Sequence, residues 1–134
     1  IGHNSILFSW TGAEPGIAAA RAGYDVVMTP AQHVYMDMAH TDAIDDWGGN
    51  WAANISLADT ISWDVIPIDE PELAKHIIGV QGAFWSEFTT QDAQLWPMLV
   101  PRILGVAAKG WQSHDTSPAD LQSLAVDFAR VWPG

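Results

Sequence analysis

Aromatic residues stand at three points of the chain, Trp10, Tyr35 and Trp85, and a carboxylate follows the last two at a spacing of two, Asp37 and Glu87. An indole packs flat against the apolar C–H face of a pyranose, and a nearby carboxylate accepts hydrogen bonds from its hydroxyls. A sugar presents both surfaces, so both residue types are needed. A single tryptophan is as readily a bulky core residue, but repetition at three consecutive strand ends points to carbohydrate. Other chemistries find less support. His33, Asp37 and His40 match no standard zinc spacing and read as solvated polar residues. Asp69-Glu70 lies between Pro67 and Pro71 with no strand entering it and reads as linker, and Asp45-Asp46 reads as loop charge. His3, His76 and His114 have no partners close in sequence, and Asn54-Ile55-Ser56 is a glycosylation signal only in a eukaryotic secreted context. No phosphate-cradling glycine motif is present, so no nucleotide cofactor is expected, and no metal.

The elements that must position these residues alternate. Ile6 to Trp10 is a short apolar run ended by Thr11-Gly12, followed by a helical stretch from Pro15 to the stop at Gly23. Asp25 to Pro30 is continuous and β-branched, the pattern of a strand buried on both faces of a parallel sheet. Residues 31 to 71 form a long, partly structured loop with one weak helical stretch near Ser56 to Ser62, and loops of that length usually serve a function. Val80 to Trp85 repeats the strand signal. Asp92 to Trp111 is helical, with Pro97 and Pro101 forcing a kink or two segments. Ser117-Pro118 caps a terminal helix over about 117–131, with Leu121, Leu124, Ala125 and Phe128 on one face. Strands separated by helices predict parallel α/β architecture.

With 134 residues the chain holds one domain or part of one, and a complete eight-fold barrel of ~250 residues does not fit. Its 49% hydrophobic content and eight Trp supply a real core. A net charge of −11 repels phosphate backbones and anionic lipid, which argues against nucleic-acid or membrane partners. The absence of cysteine excludes disulfides and thiolate chemistry without fixing a compartment. The first residues carry neither a signal peptide nor a membrane span and open without Met, as a cut or processed product would.

At these same residues the chain resembles the family 20 glycoside hydrolases, the β-N-acetylhexosaminidases. The resemblance runs through Ser9-Trp10-Thr11-Gly12, Ala22 to Pro30, Tyr35-Met36-Asp37, Ile78 to Glu87 and Pro101-Arg102-Ile103-Leu104, in order, over residues 6 to 111. It implies strands six to eight of a TIM-type (β/α)8 barrel, with Trp10 after strand six, Tyr35 and Asp37 after strand seven, and Trp85 and Glu87 after strand eight. It also implies roles. These enzymes use the substrate's own 2-acetamido carbonyl as nucleophile, through an oxazolinium intermediate and with retention of configuration. Tyr35 matches the tyrosine that aims that carbonyl, Trp10 and Trp85 match walls of the acetamido pocket, and Asp37 and Glu87 match carboxylates that hold outer hydroxyls. Trp51 matches a loop tryptophan whose indole N–H reaches a sugar hydroxyl, with Trp47 as competitor.

The family's adjacent Asp-Glu pair, its strand-one arginine and its tryptophan after strand five have no counterpart in the sequence. The expectation is therefore part of a retaining exo-β-N-acetylhexosaminidase acting on terminal N-acetylglucosamine or N-acetylgalactosamine of glycans or chitooligosaccharides, inactive in isolation. The alternative is a non-catalytic sugar-binding or assembly module derived from that barrel. A truncated sheet leaves edges at Ile6 to Trp10 and Val80 to Trp85, which predicts a homo-oligomer or pairing with the missing N-terminal part of the barrel. The location is open, and a periplasmic or secreted parent fits.

Overall fold

A computed structural model of the chain describes residues 2, 4 to 111 and 116 to 131, so His3 and His114 lie outside the described residues. Three four-residue strands, β1 (Ile6–Ser9), β2 (Asp25–Met28) and β3 (Ile77–Val80), form a parallel sheet in the order β1-β2-β3. The β1–β2 crossover is helix α1 (Ala13–Arg21), and Gly23, at φ 86°, follows its end. Gly16 lets α1 lie close to the sheet, since a Cβ there would stand 2.6 Å from the Met28 sulfur and 2.7 Å from the Ser9 Cβ. Beneath the helices lie Val26, Met28 and Ile77, joined to Ile17, Val34 and Ile55 in one core. Ile6, Phe8 and Ile78 are about half exposed, so the sheet is helix-covered on one face and open on the other.

The third strand is shifted from the expected position. Pairing with β2 ends at Val80, and the expected run from Val80 to Trp85 leaves the sheet, returning only in an isolated parallel bridge between Ala83 and Tyr35. Apolarity alone did not distinguish the strand from the apolar, aromatic segment that follows it. The segment from 31 to 71 is more structured than its polar composition suggests. It contains α2 (Ala31–Val34) and α3 (Leu57–Ile61), the latter within the stretch expected to be helical, and leads into a 3-10 turn over Pro71–Lys75. Helix α3 starts at a reciprocal cap in which the Ser56 hydroxyl accepts from the Asp59 amide at 3.2 Å and Asp59 accepts from the Ser56 amide at 2.8 Å.

The prolines divide the next helix in two, α4 (Asp92–Leu99), which accommodates Pro97, and α5 (Arg102–Trp111), which begins after Pro101. Helix α6 (Pro118–Val131) starts where expected, with the Ser117 hydroxyl accepting from the Asp120 amide at 3.1 Å. Its buried stripe is narrower than the sequence period implied. Leu121 and Ala125 are buried, whereas Leu124 is half exposed and Phe128 leans on Trp96 at 6.1 Å near the surface. Within the described residues, no helix is long and apolar enough to cross a membrane.

Candidate functional site

The predicted residues gather at the carboxyl ends of the three strands. Trp10 directly follows β1, and its carbonyl accepts from the Ala31 amide at 2.9 Å, tying the end of β1 to the start of α2. The single turn of α2 lifts the chain out of the sheet and returns it at Tyr35. There the Met36 amide donates to the Ala83 carbonyl at 2.7 Å and the Ala83 amide donates to the Val34 carbonyl at 3.0 Å. This second pairing brings Tyr35 beside the segment that carries Trp85. The two rings lie 6.4 Å apart. Trp51, arriving from the loop, meets Tyr35 edge-on at 5.8 Å and Trp10 edge-on at 6.5 Å.

Four rings thus form a continuous wall, with Tyr35 6% exposed at its base while Trp10, Trp51 and Trp85 each keep about half their surface open. Of the two loop tryptophans weighed from sequence, it is Trp51 whose indole packs on Tyr35; Trp47 is 46% exposed on the same loop. Burial pushes the Tyr35 hydroxyl above its usual range, and the Asp37 charge adds to this, while a hydrogen bond with the Trp85 side chain works against it. Tyr35 therefore stays protonated, and a donor, at neutral pH.

Asp37 is 1% exposed, and its Oδ1 is buried without a hydrogen-bond partner. Burial pushes its carboxyl up and the neighbouring Glu87 adds to that, while the amides of Asp37 and Trp85 and the Arg102 charge pull it down. A buried acceptor left unpaired is expensive, so this atom suits a donor supplied by a ligand. Glu87 is exposed on the adjoining segment, near enough to influence Asp37.

The loop that brings Trp51 into place is built around a glycine pair. The Gly49 amide donates to the Asp37 carbonyl at 2.9 Å, and the Ala39 amide donates to the Gly49 carbonyl at 2.6 Å. A Cβ on Gly48 would lie 2.1 Å from the Ala39 nitrogen, so only glycine permits this approach. Asp46 is more than loop charge. Its Oδ2 accepts from the His40 and Thr41 amides at 2.9 and 3.0 Å, and these backbone bonds hold its carboxyl below the usual range against the effect of burial.

The remaining candidates are engaged elsewhere. His33 stacks on Trp63 and reaches the Asp59 carbonyl at 2.7 Å, and His40 reaches the Pro97 carbonyl at 3.0 Å. Glu70, of the Asp69-Glu70 pair, accepts from Arg21 Nε at 2.8 Å and ties the 3-10 turn to the end of α1. His76, without a partner in its own stretch of sequence, meets Asp25 at 3.3 Å across the sheet. One residue went unassigned from sequence although its signal was present. Arg102 is the only charged residue between Asp92 and Lys109, in an otherwise apolar stretch, and it lies fully buried behind the site.

Parallel strands with aromatic and acidic side chains at their carboxyl ends define an α/β domain, and the candidate residues stand at the end of the sheet where such folds generally place their ligands. Residues 1–114 match the model of "Glycosyl hydrolase family 20, catalytic domain". The chain belongs to that family. It is 39% identical over 122 residues to a β-N-acetylhexosaminidase of Cellulomonas fimi, covering 88% of this chain and 24% of that protein. It is 28% identical to a β-hexosaminidase of Vibrio furnissii, covering 82% and 18%. Among solved structures it superposes on the family 20 exo-β-N-acetylglucosaminidase of Vibrio harveyi in complex with N-acetylglucosamine. The TM-score is 0.83 at 28% identity, over 98% of this chain and 21% of that one. The family 20 β-N-acetylhexosaminidase of Streptomyces coelicolor gives a TM-score of 0.72 at 28% identity, over 85% and 25%. The chain thus spans a quarter or less of the length of these relatives. The shared α/β fold is consistent with a TIM-type barrel domain.

Proposed function

We propose that this chain supplies the acetamido-pocket side of a retaining exo-β-N-acetylhexosaminidase that acts on terminal N-acetylglucosamine or N-acetylgalactosamine, its strands being the sixth to eighth of the barrel. The observation that carries the reading is the Tyr35 ring set between Trp51 and Trp85, its hydroxyl kept a donor by burial, two residues before Asp37, whose Oδ1 is buried and unpaired. In this reading Tyr35 donates to the 2-acetamido carbonyl oxygen and holds it near the anomeric carbon, an orientation effect that can contribute several kcal/mol. The indoles of Trp10 and Trp85 enclose the acetamido methyl and exclude water, so that internal attack outcompetes solvent. The ring closes to an oxazolinium ion as the aglycone leaves, and water then opens it with net retention. The Asp37 and Glu87 carboxylates accept from outer hydroxyls, which sets the enzyme to cut from the non-reducing end. Trp51 offers its N–H to a hydroxyl while its ring packs edge-on against Tyr35.

In this reading general acid and base work falls to residues beyond this chain; its one adjacent Asp-Glu pair does not fit the task, since Glu70 is bound to Arg21 and stands on a turn away from the strand ends. The open sheet face bearing Ile6 and Phe8 would be covered by the rest of the barrel or, in isolation, by another copy. The test is hydrolysis of a nitrophenyl N-acetylglucosaminide. The full-length natural polypeptide should be active and the 134-residue chain inactive, the missing general acid removing ~10² to 10⁴-fold. Strong turnover by the chain alone would contradict this. The engagement of Glu70 also leaves room for a non-catalytic sugar-binding module, which tight N-acetylglucosamine binding by the isolated chain, followed by tryptophan fluorescence, would support instead.

A further inference from the structure

Arginine has five N–H donors in a rigid planar fork, and a buried one must satisfy them all. Arg102, at the start of α5, is 0% exposed. Its Nη1 donates to the carbonyls of Met38 at 2.7 Å and Ile55 at 3.0 Å. Nη2 donates to those of Met36 at 2.7 Å and Met98 at 2.6 Å, and Nε shares Met98 at 3.2 Å. The acceptors are all backbone and come from three separate stretches: the end of α4, the segment after β2, and the far end of the loop that carries Trp51. Met36 and Met38 flank Asp37, whose own carbonyl faces the other way and is taken by the Gly49 amide. The three residues are held from both sides.

We propose that Arg102 is a positioning residue of the sugar site, its guanidinium clamping Met36, Met38 and Ile55 so that the Asp37 carboxylate, the Tyr35 hydroxyl and the Trp51 loop hold one fixed geometry. The inference rests on the functional reading above and adds the residue that fixes its geometry. The reason for an arginine is geometric: one planar fork reaches four carbonyls at once, which a lysine ammonium, with three donors on a single atom, does not. A second consequence follows from charge. The groups facing Asp37 are Glu87 from the segment after β3, Tyr35 on its own segment and Arg102 from α5, while His40 and Asp46 of the loop act on Arg102 in turn. Burial lowers the Arg102 pKa to about 10, so it remains the cation that favours ionised Asp37 at neutral pH.

The test uses the full-length natural polypeptide carrying this sequence, with Arg102→Lys and Arg102→Met, and reads kcat/KM on a nitrophenyl N-acetylglucosaminide against pH alongside amide exchange. Both variants should lose about 10²-fold in kcat/KM. The acid limb should move to higher pH in Arg102→Met and stay in place in Arg102→Lys, which keeps the charge. Exchange should rise ~10-fold or more at Met36, Ala39 and Gly49 while Val26, in the central strand, keeps its protection. Should Arg102→Met not fold, Arg102→Lys carries the exchange and activity readouts. An active wild type with unchanged Arg102→Lys kinetics, a uniform rise in exchange, or two variants that both fail to fold would each overturn the inference and leave the functional reading standing. A wild type that neither hydrolyses nor binds the sugar would overturn the functional reading and Arg102's part in it, with the exchange result still reporting on the clamp.

Discussion

The Trp51 indole meets the Tyr35 ring edge-on at 5.8 Å, although the two residues belong to different stretches of chain and nothing local joins them. The contact forms because the Gly48-Gly49 turn lies against the backbone of residues 37 to 39, which brings the loop back over the strand end. Loop and strand therefore build one wall.

Trp51→Ala should weaken binding of N-acetylglucosamine by the full-length polypeptide by about 1–2 kcal/mol, the range for losing one aromatic contact. Trp47→Ala should change it little. Tryptophan-fluorescence titration of both variants checks this, and equal losses would assign the loop contact wrongly.

Tyr35→Phe removes only a hydroxyl, so the ring packing and the thermal transition should be nearly unchanged. Turnover should fall ~10²-fold, the cost of losing the contact that holds the acetamido carbonyl in line for attack. Because burial raises the Tyr35 pKa, the wild type should keep its donor beyond the ordinary tyrosine range, and no alkaline loss of activity below ~10 should trace to this residue. A pH profile of wild type and Tyr35→Phe decides it.

Asp37→Asn should trade function for stability. The folded Asp37 carboxyl lies above its unfolded value, so the folded state binds the extra proton and stability falls as pH rises from the unfolded value through the folded one. Above that window the wild type carries the full penalty and the amide variant does not. Asp37→Asn should therefore melt higher than wild type at neutral pH, lose that advantage in acid, and bind sugar more weakly. Calorimetry at two pH values tests the sign.

Gly48→Ala places a methyl inside the backbone of Ala39 and should destabilise by about 1–3 kcal/mol. Gly49→Ala meets the Phe88 ring instead, which can turn aside, and should be milder. Thermal melts of the two variants rank them, and the opposite order would contradict the docking of this turn.

Glu70→Gln should leave hydrolysis by the full-length polypeptide unchanged, since the carboxylate is spent on an exposed pair with Arg21. A large loss of kcat would return the Asp69-Glu70 pair to the catalytic machinery.

Much of the fold could be read from local signals. An apolar run closed by Thr11-Gly12, a β-branched run closed by Pro30, the Gly23 stop, the Ser117 cap and the paired prolines are one-dimensional features, and they located β1, β2, α1, the break between α4 and α5 and the start of α6. Where the signal was hydrophobicity without period, it misplaced the element. The run from Val80 to Trp85 is as apolar as a strand but leaves the sheet to bring Trp85 beside Tyr35, while β3 comes just before it at Ile77–Val80. In α6 the period was right, yet only Leu121 and Ala125 found a neighbour to bury them.

The residue types of the site, indoles beside carboxylates after successive strands, and the family to which they belong were determined by the sequence alone, because side-chain chemistry and motif order are written in it directly. Which indole meets Tyr35, why Asp37 keeps an unpaired oxygen, and what Arg102 is for were decided only by the tertiary structure. Each depends on backbone groups brought together from distant parts of the chain, and a carbonyl's partner is set by where the chain folds, not by the letter that carries it.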